Sequence, residues 1–230
     1  MMIEEIKDDS DSVSLPFGKQ TVVGSTVILG DCVEVMKGFS DKQFDLAIVD
    51  PEYGIDAGNM QMGKGKKQWS KKDWDKSPAD EKYFVELFRV SKKQIVFGGN
   101  YFNLPLTGGW IFWDKDRQKD VSFSDGELAW TNFLTTIKTI KVKYDGFLGA
   151  DVGGKIHPTQ KPILLYSKII HKFAEKGQSV LDTHLGSGSS RIAADKAGLD
   201  FTGIEIDKEY FDLSEKRWKA YKSQLRIEGW

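Results

Sequence analysis

Ser179-Val180-Leu181-Asp182-Thr183-His184-Leu185-Gly186-Ser187-Gly188-Ser189 is the stretch that decides how this chain folds. Its first three residues form a short run suited to a buried strand. Gly186 and Gly188 supply a tight turn, and the stretch from Arg191 to Ala197, ended by Gly198, reads as a helix. A strand, a glycine turn and a helix together bring backbone N–H groups close to a ligand.

The same rhythm extends in both directions. Upstream, Thr26 to Leu29, Leu46 to Val49, Ile95 to Phe97 and Ile111 to Trp113 are apolar runs too brief for buried helices but suited to buried strands. Between two of them, Tyr83, Phe84, Leu87, Phe88 and Val90 recur at helical spacing within 81–90. Around the glycine turn, a helix is expected from Pro162 to Lys176, with Pro at its first turn and Gly177 beyond its end. A strand follows over Phe201 to Ile206, and a last helix over Glu209 to Gln224. Alternating strands and helices predict an α/β fold with a mostly parallel twisted sheet. Two segments break the rhythm. Residues 1–20 are acidic and poor in apolar residues, and read as a flexible lead-in. The alternating run Thr135 to Tyr144, with the glycines that follow it, reads as an inserted ribbon and loop within 131–156.

A glycine turn of this kind serves NAD, nucleotides and S-adenosylmethionine alike. A dinucleotide fingerprint places a third glycine three residues after the second, where this chain has Arg191, which counts against NAD. Glu205 closes the next strand about 20 residues past the first glycine, where a carboxylate can accept from both ribose hydroxyls of an adenosine cofactor, or else simply cap the helix that follows.

Asp50-Pro51-Glu52-Tyr53 ends the strand Leu46 to Val49, at the edge where ligands meet open α/β sheets. The lone pair of a base's exocyclic amino group is delocalised into the ring, so the nitrogen is a poor nucleophile. A carboxylate accepting one N–H and a carbonyl accepting the other pull it toward tetrahedral geometry and free the lone pair. Asp50 and the Pro51 carbonyl can serve as these acceptors, Asp50 also stabilising the positive charge that develops on nitrogen. The fixed φ of proline holds its carbonyl in place. Tyr53 can stack on a base flipped out of its duplex. Taken alone, Asp-Pro is a common loop dipeptide, and a plain turn is the simpler reading.

The 230 residues suffice for one domain with an insertion. A net charge of -1 and a pI near 6.3 give no global positive field, so any nucleic-acid contact must come from local patches. Cys32 is the single cysteine, which excludes a disulfide framework and suits a reducing compartment. With no long apolar run, neither a secretory signal nor a membrane span is expected, and a cytoplasmic location is. The histidines are isolated in sequence, and no metal site is expected.

Together these strings resemble the amino-methylating DNA methyltransferases, in the permuted class whose catalytic motif precedes the cofactor motif. The likeness runs from about Thr26 to Trp218, and Phe123-Ser124-Asp125-Gly126-Glu127-Leu128-Ala129-Trp130 looks like phage and prophage members. It implies a Rossmann-like methyltransferase fold over 21–230, with a catalytic-site loop at 56–80 and target recognition in the insertion. It implies S-adenosylmethionine as methyl donor, no metal, and duplex DNA as substrate. Gly30-Asp31-Cys32-Val33-Glu34-Val35-Met36 is similar to the opening cofactor segment, where Asp31 would accept from the cofactor's adenine amino group. His157-Pro158-Thr159-Gln160-Lys161-Pro162 is similar to the segment covering its methionine half. The cofactor residues implied are Asp31, Cys32, His157, Thr159, Gln160, Lys161, Asp182, Thr183, Gly186, Ser187, Gly188, Ser189, Glu205 and Ile206. The catalytic residues implied are Asp50, Pro51 and Tyr53.

In that family an Asp at the first catalytic position usually accompanies adenine-N6 methylation, and a Ser usually accompanies cytosine-N4 methylation. Two departures stand out. Glu52 replaces the second proline of the usual Asp-Pro-Pro-Tyr, and Thr183-His184 replaces the commoner Pro-Phe. Adenine-N6 methylation is the expected activity, with an attenuated or silent DNA-binding subunit, or cytosine-N4 specificity, as alternatives. Neither a homodimer nor an accompanying restriction endonuclease can be read from the residues.

For DNA contact, 64–76 carries six lysines and two aspartates, with Trp69 and Trp74 interleaved. Lys64, Lys66, Lys67, Lys71 and Lys72 are the candidate phosphate contacts there, against the simpler reading of a solvated face. Lys115, Arg117 and Lys119 are expected in a second patch. Lys138, Lys141 and Lys143 alternate along the ribbon, for base readout or for protecting an edge.

Overall fold

The computed structural model describes residues 4–7, 24–55, 77–117, 124–144 and 154–228. Nine strands form one sheet in the order β1-β2-β9-β8-β3-β4-β6-β5-β7. The strands are β1 (Glu4–Lys7), β2 (Ser25–Leu29), β3 (Phe44–Val49), β4 (Ser91–Phe97), β5 (Trp110–Asp114), β6 (Gly126–Thr131), β7 (Lys138–Lys141), β8 (Ser179–Asp182) and β9 (Asp200–Glu205). From β2 across to β4 every pairing is parallel. β1 is antiparallel to β2, and β6 is antiparallel to both β4 and β5.

The central strands are apolar on both faces because both faces are covered. Along β3, Leu46 and Ile48 point into one buried cluster while Ala47 and Val49 point into the other. The first cluster takes in α3 (Ile163–Phe173), α4 (Ser189–Ala197) and α5 (Lys208–Glu228), through residues such as Leu165, Ile192 and Phe211. The second takes in α1 (Cys32–Met36) and α2 (Glu81–Val90), whose apolar stripe Tyr83, Phe84, Leu87 and Val90 is buried. Asp80 caps α2 by accepting from Tyr83 N–H at 3.0 Å.

The chain leaves β3 through α2 to β4 on one side, and leaves β8 through α4 to β9 on the other. β3 and β8 are neighbours, so the two paths diverge between them, and a crevice opens at the carboxyl ends of the strands.

Two expectations change, and one strand is added. The run Thr135 to Tyr144 is no separate ribbon: 138–141 is the edge strand β7, parallel to β5 and in register from Ile111↔Lys138 to Asp114↔Lys141. Its alternation suits a half-buried edge, with Ile140 buried and Thr139 and Lys141 exposed. Within the lead-in, 4–7 pairs with β2 from Glu4↔Leu29 to Lys7↔Thr26 instead of standing apart. β6 had no strand expectation of its own; it is held between β4 and β5, with Ala129 and Trp130 buried. Most of the expected catalytic-site loop, 56–76, and the glycine-rich 145–153 lie outside the described residues.

Candidate active site

The crevice is a cavity of about 660 Å³, lined by the ends of β2, β3, β8 and β9 and by the segment before α3. That volume falls within the range of roughly 300–1,000 Å³ typical of sites for small ligands.

On the β8 side the turn is built from its own residues. Gly186 and Gly188 hold φ of 50° and 70°, the left-handed region open to glycine at low cost. Asp182 is buried and ties the turn together, accepting from His184 N–H at 3.0 Å and from Ser190 Oγ at 2.5 Å. Its burial raises the carboxyl to about 6, opposed by those same hydrogen bonds. Ser189 turns away toward Ser187 Oγ, at 3.1 Å, and the Arg217 guanidinium, at 3.0 Å. Asp182, Gly188 and Ser189 therefore shape the loop from behind, while Thr183, Gly186 and Ser187 line the cavity.

Glu205 ends β9 at the cavity wall. Its Oε2 accepts from Gly186 N–H at 2.7 Å and its Oε1 from Asp207 N–H at 2.9 Å. Burial raises its pKa against those two donors. Each carboxylate oxygen keeps a further lone pair for a ligand. Asp31, at the N-cap of α1, accepts from Glu34 N–H at 3.0 Å and lines the same cavity, as do Cys32 and the exposed Ile206. In the segment before α3, Thr159 Oγ1 lies 3.1 Å from His157 Nδ1, and the Gln160 side chain accepts from Ile156 N–H. His157 is driven down to about 3 by burial, with Lys161 and Lys155 adding to the shift, so it is neutral at ordinary pH.

On the β3 side the site is assembled from distant parts. Asp50 Oδ1 accepts from the Tyr53 hydroxyl and Oδ2 from Lys161 Nζ, each at 2.5 Å. Lys161 also lies 3.3 Å from Glu127 Oε2, and Glu127 Oε1 is 2.7 Å from Lys115 Nζ. Carboxylates and ammonium groups thus alternate from β3 through the segment before α3 to β6 and β5. The Lys161 side chain is only 6 % exposed. Burial opposes its charge, but Asp50 and Glu127 hold it up to about 12. Glu127 is likewise kept ionised against its burial by Lys161 and Lys115. Burial, with Asp50 and Glu127 adding, keeps the Tyr53 phenol protonated. Tyr101 stacks on Tyr53 at 4.9 Å and 9°.

Lys161 thus sits at the β3 end of the crevice, its ammonium on Asp50. Lys115, expected in a surface patch, is buried against Glu127 and over the Trp113 ring, because a charge at that depth needs a partner. Arg117 lines the cavity mouth and donates through Nε to Tyr144 O at 3.1 Å. Lys64, Lys66, Lys67, Lys71, Lys72 and Lys119 lie outside the described residues. Glu127 was not singled out from sequence; its one signal is a lone carboxylate among the apolar residues of β6. Among the described residues, no three His, Cys, Asp or Glu side chains are grouped to hold a metal, and no helix is long and apolar enough to cross a membrane.

At the carboxyl edge of this open α/β sheet, one pocket sets the acidic wall of Glu205 and Gly186 against the anchored carboxylate of Asp50. The DNA methylase family of N6 and N4 enzymes matches residues 60–216, and the chain belongs to that family. Type II methyltransferase M.HinfI of Haemophilus influenzae is 25% identical over 86% of this chain and 69% of its own length. The M1.HpyAVI–SAM complex superposes with a TM-score of 0.54 at 19% identity, over 84% of this chain and 98% of that one. The cytosine-N4-specific PvuII DNA methyltransferase superposes with the same TM-score at 14% identity, over 84% and 86%. The fold is therefore that of the DNA methyltransferases.

Proposed function

We propose that this protein transfers a methyl group from S-adenosylmethionine to the N6 amino group of adenine in duplex DNA, after the base is flipped from the helix. The observation that carries the reading is a single cavity with the Glu205 and Gly186 wall at one end and Asp50, held by Lys161 and Tyr53, at the other.

The cofactor end fits S-adenosylmethionine. Glu205 suits the ribose hydroxyls, Asp31 suits an adenine amino group, and the segment at His157 and Thr159 suits the methionine half. When bound, the cofactor supplies an electrophilic methyl group. Asp50 accepts an N–H of the target amine and stabilises the charge that grows on its nitrogen. Because Lys161 and Tyr53 already hold the carboxylate, little reorganisation is needed. No strong base is needed, since the methylated amine is a cation that sheds its proton readily. Tyr53 orients Asp50 through its hydroxyl. A flipped base that stacks on the face now covered by Tyr101 takes that ring's place. Lys64, Lys66, Lys67, Lys71 and Lys72, with Arg117 at the mouth, are the proposed phosphate contacts.

Adenine rests on Asp50 at the first catalytic position, since the fold is shared with a cytosine-N4-specific enzyme. The test is to sequence modified bases in DNA from cells expressing the parental chain or Asp50→Ala. N6-methyladenine at a defined site only with the parental chain is expected. N4-methylcytosine would replace the base assignment, and no modified base would overturn the activity.

A further inference from the structure

The turns after β3 and β8 are joined by a side-chain pair that none of the roles above uses. Glu52 stands between Pro51 and Tyr53, within the segment that must hold the acceptor geometry, and its carbonyl accepts from Ala79 N–H at 3.1 Å. His184 stands between Thr183 and Leu185, within the cofactor turn. Across the crevice, His184 Nε2 lies 3.2 Å from Glu52 Oε2, the side chains being 15% and 22% exposed. The imidazole is held on its other sides too. Nδ1 is 2.9 Å from Thr183 Oγ1, which is 2.7 Å from the Tyr83 hydroxyl, and the Tyr83 ring meets the imidazole edge-on at 5.1 Å. Cys32 Sγ lies 4.0 Å from Nε2. Burial opposes charge on both partners. Even so, Glu52 together with Cys32 keeps His184 protonated, and His184 keeps Glu52 ionised.

Breaking such a pair leaves one buried charge uncompensated, so its geometry constrains both turns at once. Glu52 belongs to the turn that presents Asp50, and His184 to the turn that carries Gly186 and Gly188.

We propose that Glu52 and His184 are positioning residues, a strut that ties the turn presenting Asp50 to the turn cradling the cofactor and so sets the separation of methyl donor and acceptor. The proposal rests on the methyl-transfer reading of the site.

The test compares the parental chain with Glu52→Gln, His184→Gln, the double variant, and the exchange Glu52→His with His184→Glu. Four quantities are read: the single-turnover methylation rate, KM for DNA, calorimetric affinity for S-adenosylhomocysteine, and the thermal midpoint. Each single variant is expected to lower the rate roughly tenfold with KM for DNA little changed, as a small misplacement does. The double variant should be no slower than the slower single one, because the second substitution has no pair left to break. The exchange should recover part of the loss. Affinity for S-adenosylhomocysteine should fall in each single variant and no further in the double. Losses that multiply in the double variant, or a lowered thermal midpoint with a parental rate, would overturn the strut. If the parental chain methylates no DNA, the methyl-transfer reading fails; the strut is then judged on cofactor affinity and thermal midpoint, where additive losses sink it.

Discussion

The turns after β8 and β3 lie side by side at one edge of the sheet and are built by opposite means. The β8 turn is made of contiguous residues, with two glycines at positive φ and Asp182 bonded to His184 N–H and Ser190 within eight positions. The end of β3 depends on side chains from elsewhere: Lys161 from the segment before α3, Glu127 from β6 and Lys115 from just beyond β5. A ligand held by backbone groups needs only a local conformation. A carboxylate held at a defined angle in a poorly solvated pocket needs a charge partner, and burial of that partner calls for another.

The largest way to break this contrast is to remove the central cation. Lys161→Met leaves Asp50 facing Glu127 with no ammonium between them, and should cost about 3–5 kcal/mol in denaturant unfolding. A stability within a few tenths of the parental value would show that the alternating charges are not coupled. Next comes the locally built side. Glu205→Ala should weaken calorimetric binding of S-adenosylhomocysteine roughly tenfold or more, through loss of a charged acceptor. Unchanged affinity would leave Glu205 as a cap of its own turn.

The smallest effect concerns the contact between the two sides. The His184 pKa is raised in the fold, so its stabilisation is fully present below its ordinary value of 6.5 and is lost as pH rises through the higher folded value. The Glu52 pKa is lowered, so its share is present above 4.5 and is lost as pH falls through the lower folded value. The thermal midpoint of the parental protein should therefore exceed that of Glu52→Gln by a few degrees between those limits, and the gap should close in alkali. A gap independent of pH would mean that the pair carries no charge.

The outline of the fold was legible wherever burial imposed a period. α2 shows its stripe, and β2, β3, β4 and β5 show short apolar runs, because elements covered by the core repeat their apolar residues at the spacing of their own backbone. Thr135 to Tyr144 shows what such a period leaves open. Its alternation is that of a half-buried strand, but nothing in it names the neighbour, and β7 joins the main sheet beside β5 instead of forming a ribbon. β6 was silent for a related reason: its strand character comes from being held between β4 and β5.

By itself the sequence determined the order of the two turns, the glycines of one and the Asp50-Pro51-Glu52-Tyr53 string of the other, since these depend on conformations and chemistries carried by adjacent residues. Only the tertiary structure decided that Lys161 meets Asp50, that Lys115 is an interior cation paired with Glu127, and that Glu52 meets His184. The strength of a charge pair depends on distance and on the water excluded around it, and both are set by the packing of elements far apart along the chain.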